Sequence, residues 1–160
     1  MKILPFNRHK AVEYAKKWAF SRNPKYYNFD KLGGDCTNFV SQCLFEGSGV
    51  MNLTKTFGWY YLSLNNRAPA WTGVNELYKF LTTNLGVGVF AKQVFTADSL
   101  QIGDVVQLSK NDRYYHTLIV SNIENGNIYV ASHTYDAFNK PLYTYNFTTA
   151  RFLHVLGYRE

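Results

Sequence analysis

The first half of the chain is patterned at helical period and the second half at strand period. Ala11, Val12, Ala15, Trp18 and Ala19 form one apolar stripe. Asn7 stands where an N-cap is needed, and Asn23-Pro24 stops the helix. A second stripe runs through Cys36, Phe39, Val40, Cys43 and Leu44, at the i, i+3, i+4, i+7, i+8 spacing of a core-facing helix. It follows Gly33-Gly34 and ends near Gly47 and Gly49. A third helix starts near Thr72-Gly73 and carries Val74, Leu77, Tyr78 and Leu81. Residues 50–70 have no period and are expected to be a structured loop or short turns. After Asn84-Leu85-Gly86 the pattern changes to strands, over 87–95, 104–109, 114–123, 127–134, 142–147 and 152–158. Helices first and strands later predict an α+β fold, with N-terminal helices packed on a C-terminal antiparallel sheet.

Composition narrows the class. The 160 residues fit one domain, 1–160, and are 46% hydrophobic, which excludes a disordered chain. No apolar run approaches the ~18 residues of a membrane span. The charged N-terminus lacks the apolar stretch of a signal peptide, so the expected setting is either cytoplasmic or a domain of a secreted or phage-related wall-acting protein. The net charge of +6 favours acidic partners. Its basic residues are scattered, which disfavours nucleic acid. The two cysteines lie about two helical turns, or ~10 Å, apart, so free thiols are expected.

Cys36 would occupy the first turn of a buried helix, beside unpaired backbone amides. The positive helix end favours its thiolate. Cys43, further along the stripe, is expected to be core. His116 opens the β-branched run Thr117-Leu118-Ile119-Val120, and Asn125-Gly126 is a two-residue hairpin signal. An unbroken hairpin register sets Glu124 opposite Asn127 and Leu118 opposite His133. His116 and His133 then become diagonal neighbours on one face. Cysteine, histidine and an orienting group form a nucleophilic-catalysis set: the imidazole takes the thiol proton and the third residue fixes the ring. Asp136 is the alternative third member, because a slip of one residue reverses the faces. The separations of Cys36, His116 and His133 match no short metal motif, so neither metal nor cofactor is expected.

Several strings together resemble a known family: YAKKWAFSRNPKYYNFD, GGDCTNFVSQCL, Trp71-Thr72-Gly73-Val74, GDVV, HTLIV and ASHTYD. Over roughly residues 7 to 158 they resemble the putative amidase domain of bacterial proteins. That domain is similar to NlpC-type and CHAP-type cell-wall peptidases with a papain-like core. The resemblance implies Cys36 as nucleophile, His116 as general base and His133 as third member. It also implies that Asp35 positions the substrate or the loop, beyond its own reading as a helix cap. Papain has a glutamine upstream of its cysteine for the oxyanion, and Phe29-Asp30-Lys31 contains none. NlpC-type relatives use a tyrosine, for which Tyr26 and Tyr27 are the candidates. Trp59 and Trp71, in the aromatic 50–71 region, either wall the substrate groove or cover the core. The expected activity is thiol-dependent hydrolysis of an amide bond in a peptide or in peptidoglycan, by a monomer. A catalytically silent binding module and an acyltransferase on the same fold are the alternatives.

Overall fold

The computed structural model describes residues 1–160 and is mixed α+β, with a large antiparallel sheet and few helices. β1 (Ile3–Leu4) leads into α1 (Arg8–Trp18), whose first turn is capped by the Asn7 side chain accepting from the Lys10 amide. α2 (Cys36–Ser48) starts at the cysteine and ends at Gly49, which takes the left-handed conformation (φ 72°). The α2 stripe is buried against the sheet and α1, as its spacing requires.

Residues 50–70 are more ordered than the sequence suggests. Asn52 and Trp59 form an isolated bridge, and β2 (Tyr61–Ser63) pairs with β3 (Asn66–Arg67). α3 (Pro69–Thr72) is one short turn, and α4 (Val74–Thr83) carries the third predicted stripe. The remaining strands are β4 (Gly88–Val94), β5 (Val105–Lys110), β6 (Arg113–Glu124), β7 (Asn127–Ser132), β8 (Ala137–Pro141) and β9 (Thr149–Arg159). The strand expected over 142–147 is absent. Residues 137–141 form a strand instead, and Leu142–Thr144 close into a short 3-10 turn after Pro141.

The main sheet runs β1-β9-β5-β6-β7-β8, with β4 on the other edge of β9. Every pairing is antiparallel. One face packs the helices over a core that includes Phe39, Leu44, Ile119 and Ala131. The other face buries Leu108, Leu118, Val120 and Val130 beneath the 3-10 turns and loops.

Candidate active site

The β6–β7 hairpin begins as its turn residues dictate. Glu124 pairs with Asn127, and Asn125 and Gly126 both take positive φ. The register then shifts between Val120 and Asn122, with Ser121 as the extra residue of a β-bulge. Beyond it Ile119 faces Ala131 rather than Ser132. The alternation reverses, so Ser132 shares the face of His116 and Leu118, while His133 shares that of Thr117 and Ile119. This corrects the register on which His133 was expected to orient His116.

Both ring nitrogens of His133 are taken elsewhere. Nδ1 meets Asp35 Oδ2 at 2.5 Å and Nε2 donates to the Trp18 carbonyl at 2.8 Å, with the ring stacked on Phe39. The carbonyl can only accept, so Nε2 carries a hydrogen, and a proton lies between Nδ1 and the Asp35 carboxyl. The Asp136 alternative is not beside His116 either. β7 ends at Ser132, and Thr134 and Tyr135 turn away at positive φ. Asp136 is exposed and pairs with Arg22 through two hydrogen bonds, of 2.9 and 3.1 Å.

Asp35 is not a side-chain helix cap. Its Oδ1 accepts from the Phe29 amide and from Asn38 Nδ2, and its Oδ2 faces His133. Arg22 lies 3.6 Å from the same carboxylate and also binds Asp30. One guanidinium therefore joins the loop before Cys36 to the turn after β7. The carboxylate thus fixes the approach to the cysteine.

Cys36 is the first residue of α2 and is buried, with Sγ 3.9 Å from Thr37 Oγ1. Thr37 Oγ1 in turn bonds Thr117 Oγ1 at 2.8 Å, and Gln107 donates to the same Thr117 hydroxyl. The residue after the cysteine is thereby bound to the residue after the histidine. Burial pushes the Cys36 thiol above its ordinary range, against the pull of the Thr117 and Thr37 groups beside it. The expectation of a helix-stabilised thiolate is corrected on this point: burial is the largest influence on the thiol, and it favours the neutral form. Cys43 is fully buried, and burial raises it further.

Burial and the neighbouring Lys140 ammonium lower the His116 imidazole from 6.5 to about 4. Its Nε2 is the one buried side-chain nitrogen or oxygen in the molecule without a hydrogen-bond partner. The Tyr115 and Tyr145 rings pack at 5.9 and 6.1 Å from it, and the Tyr145 hydroxyl bonds Ser132 at 3.3 Å. Cys36 and His116 line one cavity of about 440 Å³, walled by Gly34, Tyr115, Lys140 and Tyr145. Another cavity, of about 420 Å³ beside Phe57 and Phe80, is lined by neither cysteine nor histidine.

The aromatic candidates lie outside this cavity. Trp59 and Trp71 are fully buried, and their indole N–H groups donate to Ser41 and Asn38 on α2. They support the cysteine helix from behind and do not wall a groove. Tyr26 packs on Trp71 and Tyr61, and burial pushes its hydroxyl up to about 12. The Tyr27 carbonyl accepts from Asn38, and its side chain is half exposed. Neither tyrosine meets the cysteine's cavity. Sequence reasoning missed Thr37, Thr117, Lys140 and Tyr145. A threonine directly after each of Cys36 and His116 was the one signal present.

The model of the family described as Putative amidase domain matches residues 5–156. The chain belongs to this family. Among its relatives, the uncharacterized protein YhbB of Bacillus subtilis (strain 168) is 34% identical over 137 residues, covering 82% of this chain and 42% of the relative. The uncharacterized protein YjcM of the same strain is 29% identical over 148 residues, covering 85% of the chain and 32% of the relative. The chain thus spans less than half the length of either. No solved structure matches it.

Proposed function

We propose that residues 1–160 act as one thiol-dependent amide hydrolase domain, with Cys36 as nucleophile and His116 as general base. The observation that carries this reading is the unpartnered, buried His116 nitrogen in the cavity that Cys36 also lines. A buried polar atom left unpaired costs stability, and such atoms cluster where chemistry needs them. No hydrogen bond joins thiol to imidazole at rest, and such contacts commonly tighten only with substrate bound.

The neutral resting pair defines the steps. The thiol proton passes to the imidazole as sulfur attacks the carbonyl carbon. The first-turn amides of α2, that of Cys36 first, donate to the oxyanion. The imidazolium then protonates the leaving amine and an acyl-enzyme remains. Water, deprotonated by the imidazole, cleaves the thioester and releases the carboxylic acid, and the imidazolium returns the proton to the departing Cys36 sulfur. His116 is oriented by packing between Tyr115 and Tyr145, and His133 is a positioning residue acting through Asp35. The net charge of +6 supports an anionic wall peptide as substrate.

The test is mass spectrometry of peptidoglycan-derived peptides after incubation with wild type, Cys36→Ala and His116→Gln. New amine and carboxylate ends are expected with wild type only, with a loss of roughly a thousandfold or more in each variant. Unchanged cleavage by Cys36→Ala would overturn the thiol mechanism.

A further inference from the structure

The face of the sheet that carries His116 also carries two lysines. Lys110 follows Leu108 by two residues on β5, and Leu108 is the partner of His116 across the strand pair. Lys140 lies on β8 opposite Val130, whose side chain packs in the same layer as Leu108 and Leu118. Both lysines line the cavity over the cysteine. Neither has a carboxylate partner, although the four carboxylates Asp30, Asp35, Asp104 and Asp136 are each paired with a cation elsewhere. The Lys140 ammonium rests 4.4 Å from the centroid of the Tyr145 ring, which holds it in place without neutralising it. No acidic residue lines the cavity; its other polar groups, such as Thr144 and Asn146, are uncharged.

Two unpaired ammonium groups beside an uncharged acyl-transfer pair constitute an anion-reading pocket. We propose that the substrate carries a free carboxylate close to the scissile amide, and that Lys110 and Lys140 hold it over His116. This rests on Cys36 being the nucleophile. It adds a requirement on the substrate: the group flanking the cleaved bond is an acidic residue or a chain-terminal carboxylate. A bound carboxylate also neutralises Lys140, whose charge adds to burial in opposing protonation of His116. Substrate binding and activation of the base are thereby coupled.

The probes are iodoacetate and iodoacetamide, which differ by a carboxylate against a carboxamide and both alkylate thiolate. The rate ratio at Cys36, localised by fragmentation mass spectrometry, is compared with that of glutathione. The ratio should favour iodoacetate about fivefold more at Cys36 than at glutathione, the scale of one well-placed exposed ion pair. It should fall to the glutathione value in Lys110→Gln/Lys140→Gln and shrink in 0.5 M salt. Lys110 is exposed, so Lys110→Gln alone also tests the point without risk to folding. A wild-type ratio equal to that of glutathione, or one unchanged in the variants, would overturn the carboxylate pocket and leave the nucleophile standing. Failure of both reagents to alkylate Cys36 would overturn the nucleophile as well.

Discussion

His116 is held neutral by its surroundings, and this makes stability depend on pH. Its folded value of about 4 lies below the ordinary 6.5, so between those values the unfolded chain binds a proton that the folded chain does not. Its contribution is intact above about 6.5 and is lost progressively as pH falls towards 4. His116→Gln has no such proton to take up. From pH 7 to pH 4.5, wild type should lose about 2 kcal/mol relative to the variant in urea unfolding. Parallel losses in the two proteins would mean that the imidazole is solvated. The place of Cys36 was legible because Gly33-Gly34 and the stripe after it define a helix start. The state of its thiol was not. Sequence shows that a residue begins a helix but not how deeply it is desolvated, and here burial raises the thiol.

The cysteine helix and the histidine strand meet through one pair of hydroxyls. Thr37 on α2 and Thr117 on β6 bond at 2.8 Å, in the chain positions next to Cys36 and His116. Thr37→Ala and Thr117→Ala should therefore couple. A double-mutant cycle is expected to give about 1 kcal/mol of interaction energy. Turnover should fall in either single variant as the elements lose their mutual register. Additive stabilities would show that packing alone sets the helix on the strand. The three longer helices and most strands were legible from period. The strand expected at 142–147 was not present, because apolar residues there meet the core through a 3-10 turn rather than a pleat. Residues 50–70 hid their order because a bridge and a three-residue strand are too short to show a period. The hairpin turn was marked by Asn125-Gly126, whereas no glycine or proline marks the bulge at Ser121.

Across the whole molecule, the GDVV motif is structural. Asp104 is fully buried, and its carboxylate accepts from Arg8, His154 and the amides of Gln101 and Val155. It binds the start of α1 to β9 and to the loop entering β5. Asp104→Asn keeps the shape but removes the charge opposite Arg8, and is expected to cost about 3 kcal/mol. Urea unfolding would measure it, and a loss under 1 kcal/mol would mean that backbone pairing already holds the three segments. Neighbours of this kind, remote in sequence, are what a local pattern cannot display. The bulge at Ser121 has a consequence for the lineage. A strand pair keeps parity, and one inserted or deleted residue exchanges odd positions for even ones. Two descendants of this fold could therefore retain both Ser132 and His133 and yet present different side chains beside His116. Matching letters across relatives would count the position as unchanged, while the group facing the imidazole had been replaced without a single substitution.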